Sequence, residues 1–544
     1  MTQQIKTPSN HITRRRLLAI AGGATAAATL GPAVIAATAQ HNTEATPAAT
    51  LAATPTAPTL PEFPIPSTLA ADASPLFRTV TEALVTAMKA TLVPGSAIGL
   101  ISGDREEHAT FGLASLSSMR PVTPETLFQI GSITKTVTAT AIWHLIDKGV
   151  LDLNAPVRTY LPDLKLMDAD VAEKVTVSNL LDHSAGWYGD DEGFDTGEND
   201  DSLARYVAER LPQLPQIFPL GSSFSYNNAA FTVLGRLIEV ATGTTYNAPI
   251  QSLVLDPLGM DDSLLDHDAV RQRPYADGHA ALLINGRVSV AVQTPLWIPR
   301  SVDPAGGIWS TTRDLLRYAR FHMDHAAAAG PANIVSPESL AKMQEPAIKV
   351  PGLSMQMGKD WFVQDVDGIR AFYHGGDTLG QHADLVMIPE HDFALAVLTN
   401  GQGGGFPTAA AALNAALSEI PELATLAGKI GLISALTAPA DAPPVDLTAS
   451  EMEEYVGRFA DPGQALTFAQ TDAGLEVTLE TIEQPGAWTA TINPVPAPSM
   501  PVTFLAKDEA VMAGSRLPFI RDADGRVGWV SMGLRLLPRV EKGA

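Results

Sequence analysis

The sequence predicts an α+β fold: an antiparallel sheet with an inserted helical subdomain, followed by a small C-terminal all-β domain. Strand-like runs come first, then a long helix-rich stretch, then strands again near residues 371–399. This order favours an antiparallel sheet over the parallel sheet that regular strand–helix alternation would give. From about residue 447 the chain changes to short β-like runs separated by turns, which predicts a small barrel or sandwich.

Composition limits the function classes. The chain has 544 residues, of which 45% are hydrophobic, enough for about two to four folded units. Asp and Glu number 59 against 36 Lys and Arg, and the net charge of −23 argues against nucleic acid or an anionic membrane as a partner. The sequence has no cysteine and no H-E-x-x-H motif, so thiolate chemistry is excluded and no metal or other cofactor is expected.

The first 39 residues have the pattern of an export signal. Arg14–Arg16 precede an Ala-, Gly- and Leu-rich stretch without Asp or Glu, which ends in the small-residue pattern Ala37-Thr38-Ala39. The run Thr13–Leu18 resembles a twin-arginine signal, which exports folded proteins. The alternative is a transmembrane anchor, but Pro32 and the weakly apolar composition argue against it. We therefore expect a periplasmic or extracellular protein.

Domain boundaries follow from composition. Residues 40–73 are rich in Ala, Thr and Pro and predict an extended tether associated with the cell envelope. Order is expected to begin at Ser74-Pro75, an N-cap followed by proline at the first helical position. The main domain is predicted over 74–430, a Pro-containing linker over 431–446, and the all-β domain over 447–540.

Hydrophobic spacing predicts the individual elements. Residues that share one helical face after the N-cap are Phe77, Val80, Leu84, Ala87 and Met88. Two strand-like runs follow at 97–102 and 108–114, joined by a turn. The β-like runs of the C-terminal unit are Leu475–Thr478, Trp488–Ile492, Val502–Leu505 and Val527–Met532.

The segment Ser132–Lys135 reads Ser-Ile-Thr-Lys, an S-x-x-K motif that places serine and lysine on one helical face. A serine hydroxyl is a weak nucleophile until a base takes its proton, and a lysine amine in a dry pocket can do so. A second copy occurs at Ser339–Lys342. Only Ser132 follows a glycine and opens an apolar helix, whose free N–H groups and dipole would favour negative charge at the serine.

Two further polar groupings are candidates for the same site. Tyr226 and Asn228 form a Y-x-N pair whose side chains would face the same way in an extended segment; the alternative is an ordinary turn. A phenol suits proton shuttling, and an amide can orient a carbonyl. His374-Gly375-Gly376 lies at the edge of a strand-like run, where the glycines allow close backbone approach to a ligand; the alternative is a hairpin turn with a surface histidine.

These motifs, in this order, resemble the serine β-lactamase and penicillin-binding-protein superfamily. Six segments read like its consensus: Phe128–Lys135 (FQIGSITK), Lys148–Leu164 (KGVLDLNAPVRTYLPDL), Leu180–Gly186 (LLDHSAG), Pro219–Asn228 (PLGSSFSYNN), Pro257–Met260 (PLGM) and Pro304–Leu315 (PAGGIWSTTRDL). The likeness covers roughly residues 75–425 and is strongest to the class C-like branch, with its D-aminopeptidases, D-alanyl-D-alanine carboxypeptidases and β-lactamase-like esterases. The resemblance implies the fold of β-lactamases and transpeptidases.

The resemblance also implies roles. Ser132 would attack a carbonyl carbon and form an acyl-enzyme, while Lys135 and Tyr226 would share the general-base and general-acid work. Asn228 would hold the acyl amide or carbonyl of the substrate. The backbone N–H groups of Ser132 and Asp377 would form the oxyanion hole.

The strand carrying His374, Gly375 and Gly376 would form the opposite wall of the site. There the sequence departs from the Lys-Thr-Gly motif of β-lactamases. The change removes a hydroxyl donor and a permanent positive charge that can bind a substrate carboxylate. It argues against efficient cephalosporin hydrolysis. His183, in the LLDHSAG segment, is expected to be a structural helix-end residue.

We therefore expect an exported serine hydrolase that cleaves an ester or amide bond of a small molecule or short peptide. A penicillin-binding DD-carboxypeptidase, a penicillin-recognising receptor without turnover, a β-lactamase and a structural envelope protein remain alternatives. The acidic loop Tyr188–Asp201 would favour a cationic substrate or bind Ca²⁺, or be an ordinary solvated loop.

Overall fold

The computed structural model describes residues 61–191, 195–284, 287–324, 334–439, 441–482 and 499–540. The predicted export signal, most of the predicted tether and the predicted strand Trp488–Ile492 lie outside the described residues. Within the described ranges, no helix combines the length and the apolar character needed to cross a bilayer.

Most strands of the main domain come before or after a helix-rich stretch, and three lie within it. In chain order the strands are β1 (Gly95–Ser102), β2 (Arg105–Ser115), β3 (Arg120–Pro121), β4 (Phe128–Gln129), β5 (His279–Ile284), β6 (Arg287–Val292), β7 (Trp309–Ser310), β8 (Ile348–Lys349), β9 (Gln356–Met357), β10 (Phe362–Val366), β11 (Ile369–Thr378), β12 (Gln381–Ile388) and β13 (Phe393–Thr399). Nine of them form one antiparallel sheet in the order β3-β2-β1-β13-β12-β11-β10-β9-β8. The predicted antiparallel sheet is confirmed.

The α-helices pack on both faces of this sheet, except for the last one, which packs on the core of the C-terminal strands. In chain order they are α1 (Pro75–Thr91), α2 (Ile133–Asp147), α3 (Ala169–Lys174), α4 (Val177–Leu181), α5 (Ser202–Arg205), α6 (Asn228–Thr242), α7 (Asn247–Ile250), α8 (His267–Arg271), α9 (Asp303–Gly306), α10 (Thr312–Met323), α11 (Pro337–Gln344), α12 (Gly405–Glu419), α13 (Leu432–Leu436) and α14 (Ala449–Met452). Helices α1 and α12 share one core with one face of the sheet, and the inserted helical subdomain shares a second core with the other face.

Helix α1 begins as the sequence predicts. The Ser74 hydroxyl accepts a hydrogen bond from the backbone N–H of Phe77, and proline occupies the first helical position. The face that the helix buries includes Phe77, Val80, Leu84 and Met88. The Ser74-Pro75 signal therefore identified the start of this element, and the apolar spacing identified its buried side.

Helix α2 is the central helix of the main domain and is buried along most of its length. Its threonines satisfy their hydroxyls inside the core: the Thr138 hydroxyl lies 2.7 Å from the Tyr246 hydroxyl, and the Thr140 hydroxyl lies 2.9 Å from that of Tyr318. Because buried polar groups are costly unless bonded, these contacts fix the helix in one position against its neighbours.

The C-terminal strands close into a barrel. They are β14 (Gly457–Ala460), β15 (Gln464–Thr471), β16 (Gly474–Thr481), β17 (Met500–Ala506), β18 (Glu509–Met512), β19 (Ser515–Arg521), β20 (Val527–Met532) and β21 (Arg535–Val540). Aromatic side chains fill its interior, among them Tyr455, Phe459, Phe468, Phe504 and Phe519. The predicted all-β domain is confirmed, and its architecture is the barrel rather than the sandwich.

The segments that flank the main domain are more structured than their composition indicates. Residues 66–68, within the predicted tether, lie along β2 and exchange backbone hydrogen bonds with Thr110 and Gly112. The predicted linker 431–446 contains helix α13, and Thr437 pairs with Ser515 of the barrel.

Candidate active site

Ser132 stands at the start of helix α2 and takes helical dihedral angles, with φ −63° and ψ −10°. Its hydroxyl does not cap the helix. Instead, Ser132 Oγ accepts a hydrogen bond from Lys135 Nζ at 3.0 Å. The S-x-x-K spacing thus brings the two side chains into contact one helical turn apart.

Lys135 is 0% exposed. Its Nζ also donates to the carbonyl oxygen of Ala305 at 2.7 Å. It lies 5.0 Å from the ring centre of Tyr226 and 5.6 Å from that of Phe231. The amine therefore reaches the serine hydroxyl from the protein interior rather than from solvent.

The second S-x-x-K copy lies in helix α11, away from this arrangement. The Ser339 hydroxyl donates to the Asp147 carboxylate at 2.6 Å, while Lys342 pairs with Glu338 and keeps 48% of its side chain exposed. Burial and the identity of the lysine's partner distinguish the two copies, although their sequence patterns are the same.

Tyr226 packs against a buried histidine and against the C-terminal barrel. Its ring stacks on that of His183, with centroids 4.4 Å apart and planes inclined by 22°. Its hydroxyl lies 3.5 Å from His374 Nε2. The guanidinium carbon of Arg535 lies 4.8 Å from the ring centre, and the Tyr226 N–H donates to the Leu534 carbonyl at 2.8 Å.

A helix, not an extended segment, begins immediately after Tyr226. Asn227 is the N-cap of helix α6, and its side-chain oxygen accepts from the Ala230 N–H at 2.8 Å. Asn228 is the first helical residue, and its Nδ2 donates to Asp190 Oδ1 at 3.1 Å. The expectation of an extended Y-x-N segment is therefore wrong at Asn228, because Asn227 serves as the N-cap and the helix starts at the next residue.

The His183 ring stacks on the Tyr226 ring, and both of its nitrogens have polar partners. Its Nδ1 accepts from the Asn227 N–H at 2.9 Å, so the proton of the neutral ring is on Nε2, which lies 3.3 Å from Asp360 Oδ1. Burial, with nearby positive charges such as that of Lys135, holds the pKa of His183 well below its usual value. The structure thus gives this helix-end residue a direct contact with the candidate site.

His374 is neutral. Its Nδ1 lies 2.6 Å from the Gly375 carbonyl oxygen, and because a carbonyl only accepts, Nδ1 carries the proton. Burial and the positive charge of Lys135 lower the pKa of His374 to about 3. Nε2 is therefore unprotonated near neutral pH and accepts the hydrogen bond from the Tyr226 hydroxyl.

Strand β11 passes the start of helix α2 at very short range. A Cβ at Gly376 would lie 2.7 Å from the Ser132 nitrogen, and a Cβ at Gly131 would lie 2.8 Å from the Asp377 nitrogen. Gly131 also has a φ of +51°, which favours glycine. The N–H groups of Ser132 and Asp377, the two expected to form the oxyanion hole, thus lie on the two sides of this contact.

The same part of β11 has one open edge. Strand β10 pairs with β11 only over Ile369–Tyr373, whereas β12 pairs with it as far as Thr378. Residues 374–378 therefore have no ladder partner on the second edge among the described strands. An extended substrate can bind such an edge through its main-chain groups.

Two carboxylates, one on this strand and one on β12, lie on either side of the His382 ring. His382 Nδ1 lies 2.9 Å from Asp377 Oδ1, and its Nε2 lies 3.1 Å from Asp384 Oδ2. Although burial opposes it, the two carboxylates raise the pKa of His382 to about 10. A Cβ at Gly375 would lie 2.9 Å from Asp384 Oδ1. A carboxylate therefore lies beside Gly375, the position at which the Lys-Thr-Gly motif has a threonine hydroxyl.

Aspartates of the predicted acidic loop 188–201 pair with arginines rather than facing a common centre. The pairs are Asp190 with Arg535, Asp191 with Arg210, and Asp200 with Arg300. Within the described ranges, no group of three His, Asp or Glu side chains is arranged to hold a metal ion. Sequence reasoning missed Arg535 entirely, because no motif connects it with residues more than 300 positions away.

Comparison with known proteins shows which family the chain is similar to. A family model described as Beta-lactamase matches residues 80–419. Penicillin-binding protein 4 of Amycolatopsis lactamdurans is 33% identical over 321 residues, which cover 57% of this chain and 81% of that protein. Esterase EstB of Burkholderia gladioli is 36% identical over 167 residues, which cover 28% of this chain and 41% of that protein.

The fold is also similar to that of a solved structure, and the similarity covers most of the chain. A structure described as the crystal structure of SurE superposes with a TM-score of 0.64 at 23% identity, covering 86% of this chain and 99% of that one. This likeness concerns the fold alone. The family match over most of the main domain leads to one conclusion: the chain belongs to the beta-lactamase family of serine hydrolases.

Proposed function

We propose that this protein is an exported serine hydrolase that cleaves an ester or amide bond through an acyl-enzyme on Ser132. The observation that carries the proposal is the 3.0 Å contact between Ser132 Oγ and the amine of a fully buried Lys135. The second S-x-x-K copy lacks this contact, because its lysine is half-exposed and pairs with Glu338.

Acylation begins when Ser132 Oγ attacks the substrate carbonyl carbon and the hydroxyl proton of Ser132 passes to the base, which is Lys135 as the neutral amine or Tyr226 as the phenolate. The carbonyl oxygen becomes an oxyanion, which accepts hydrogen bonds from the N–H groups of Ser132 and Asp377. Each such donor contributes about 3 kcal/mol in comparable enzymes. The tetrahedral intermediate then collapses, the scissile bond breaks, and the leaving group takes the proton.

Deacylation reverses the same proton movements. A water molecule attacks the acyl carbon after giving its proton to the base, and Ser132 Oγ leaves and regains a proton. Because Nε2 of neutral His374 accepts from the Tyr226 hydroxyl, it orients that hydroxyl in the steps where Tyr226 carries its proton. The cycle consumes one water and needs no cofactor.

The substrate is proposed to be an ester or short peptide without an obligatory carboxylate at the position that β-lactams use. Three observations support this choice. Neutral His374 supplies no positive charge, Gly375 supplies no hydroxyl, and the carboxylates of Asp377 and Asp384 outnumber the single imidazolium between them. A substrate carboxylate approaching this edge would therefore meet repulsion.

Penicillin recognition is the second candidate function. It is favoured by the 33% identity to a protein named a penicillin-binding protein over 81% of that protein's length. In this case the Ser132 adduct would form with penicillin and would hydrolyse slowly or not at all.

One experiment separates the two. The mature protein is incubated with a p-nitrophenyl ester or with benzylpenicillin, while released nitrophenol and intact mass are followed; Ser132→Ala is the control. Turnover of the ester with little penicilloyl adduct supports the hydrolase. A stable penicilloyl adduct supports penicillin recognition, and equal ester turnover by Ser132→Ala contradicts both.

The proposed export is tested separately. The full-length gene is expressed with and without replacement of Arg14–Arg16 by lysine, and the culture is fractionated. Loss of the protein from the exported fraction on replacement supports a twin-arginine signal. Unchanged distribution contradicts it.

A further inference from the structure

We propose that Arg535, supplied by the C-terminal barrel, is a positioning residue of the active site. It acts on Asn228 through Asp190, and it acts on Tyr226 through direct contact with the ring. The inference rests on the proposed function, since it concerns the same serine chemistry. It assigns the barrel a part in catalysis in place of a purely architectural role.

The first observation is a bidentate ion pair. Arg535 Nε and Nη2 lie 2.7 Å from Asp190 Oδ2 and Oδ1 respectively. Asp190 Oδ1 also accepts the hydrogen bond from Asn228 Nδ2 at 3.1 Å. Because a carboxylate only accepts, Asp190 requires the amide of Asn228 to present its NH₂ group, and the guanidinium fixes the carboxylate that sets this orientation.

The second observation is the contact of the same guanidinium with Tyr226. Its central carbon lies 4.8 Å from the ring centre, within the range of a cation–π interaction. One side chain therefore contacts Tyr226 directly and Asn228 through a single intermediary. These are the two polar members of the Y-x-N motif, so Arg535 fixes their relative position.

The third observation is that the backbone of the barrel hairpin is itself tied to the segment before helix α6. The Leu534 carbonyl accepts from the Tyr226 N–H at 2.8 Å, and the Leu536 N–H donates to the Ser225 hydroxyl at 3.1 Å. These bonds flank Arg535 on both sides in the sequence. The hairpin therefore delivers the guanidinium to one fixed place.

The exposure of the Arg535–Asp190 ion pair indicates that it orients the site residues more than it stabilises the contact between the barrel and the main domain. The side chains of Arg535 and Asp190 keep 28% and 24% of their surface exposed, so water screens much of their attraction. A partly exposed pair contributes little to stability, whereas planar bidentate geometry defines orientation closely. The ion pair is thus better suited to fixing the positions of the Asn228 amide and the Tyr226 phenol than to stabilising the docking of the barrel.

The matched control is another arginine of the barrel. Arg521 makes the same kind of bidentate pair with Asp508, with distances of 2.9 and 2.8 Å, and touches no residue of the site. We expect Arg535→Met to lower kcat for ester hydrolysis by about 100-fold, the effect of displacing catalytic groups by about 1 Å, with a smaller change in KM. Arg521→Met should leave kcat within about twofold of wild type, since its pair lies outside the site.

Chemical rescue distinguishes positioning from loss of structure. With Arg535→Ala, added guanidinium at millimolar concentration should restore part of kcat, while the same addition should not stimulate wild type or Arg521→Met. Asp190→Asn, which keeps the shape of the intermediary and removes its charge, should reduce kcat in the same direction. If Arg535 variants are folded and retain wild-type kcat, the inference is wrong.

This outcome is separable from failure of the proposed function. Wild type is first tested for a covalent adduct on Ser132 with the p-nitrophenyl ester. Absence of that adduct overturns the serine mechanism itself. Its presence, together with unchanged acylation rates in Arg535→Met and Asp190→Asn, overturns only the role of Arg535.

Discussion

At the scale of single residues, the site depends on histidines that stay neutral beside a buried lysine. Burial is the main cause of the low pKa of both His183 and His374, and the charge of Lys135 adds to it. Each ring keeps its proton on the nitrogen that faces a hydrogen-bond acceptor. The imidazoles therefore serve as oriented dipoles around Tyr226, and neither provides a fixed positive charge.

This arrangement predicts a specific dependence of stability on pH. The pKa of His374 falls from about 6.5 in the unfolded chain to about 3 in the folded one, so between these values the unfolded state binds more protons. The stability that the neutral ring contributes is complete above pH 6.5 and is lost on acidification toward pH 3. The slope is at most about 1.4 kcal/mol per pH unit for one histidine.

The measurement compares wild type with His374→Asn, whose amide NH₂ can still donate to the Gly375 carbonyl. Urea unfolding between pH 4 and 7 should show a weaker decline of the unfolding free energy in the variant. Carboxylates titrate in both proteins and cancel in the difference. Equal slopes would show that His374 is not held neutral by the fold.

Motifs made the local residues of the site predictable. Ser132 and Lys135 are one helical turn apart, and His374 is followed by two glycines, so each signal is contained in a few positions. Two partners were not predictable: Asp360, which contacts His183, and Arg535, which contacts Tyr226. Each lies far in sequence from the residue that it contacts and reaches it only through the topology of the chain. The helical start at Asn228 was missed because an N-cap and an extended pair look alike in sequence.

At the scale of secondary-structure elements, the approach of strand β11 to helix α2 shapes the candidate oxyanion hole. Two adjacent glycines of β11 face different surroundings. A Cβ at Gly376 would collide with main-chain atoms of Ile130 and Ser132. A Cβ at Gly375 would have the Asp384 side-chain oxygen as its nearest neighbour at 2.9 Å, with main-chain atoms no nearer than 3.6 Å. Main-chain atoms cannot yield without shifting the strand or the helix.

The two glycines therefore predict opposite outcomes. Gly376→Ala should reduce kcat/KM for ester hydrolysis by about 100-fold or more, because it moves a backbone N–H donor away from the reacting carbonyl. Gly375→Ala should stay within about tenfold of wild type, since a carboxylate at a partly exposed position can rotate aside. Similar losses for both substitutions would contradict this account of the strand–helix contact.

At the scale of the whole molecule, the barrel is joined to the main domain by several separate contacts. Besides the hairpin that carries Arg535, the Trp529 indole N–H donates to the Ile217 carbonyl at 2.9 Å. The α+β class and the all-β unit could be predicted from the order of strand-like and helix-like runs, because hydrophobic periodicity is a local property of the sequence. The docking of one on the other could not, since it depends on contacts between residues more than 300 positions apart.

This docking predicts that the two parts stabilise one another. Trp529→Phe keeps an aromatic ring, although a smaller one, and removes the indole donor, which leaves the carbonyl of Ile217 without that hydrogen bond. We expect a loss of about 1 kcal/mol in the free energy of unfolding, the usual worth of such a bond. The check is urea unfolding followed by far-UV circular dichroism; unchanged stability would indicate that water replaces the indole at no cost.

The central claim, nucleophilic catalysis by Ser132, is tested most directly by locating the acyl group. The protein is mixed with a p-nitrophenyl ester, quenched in acid within the pre-steady state, digested with trypsin and sequenced by mass spectrometry. We predict that the acyl mass lies on Ser132 and is absent from Ser339 of the second S-x-x-K copy. Acylation of another residue, or full ester turnover without any adduct, would contradict the mechanism.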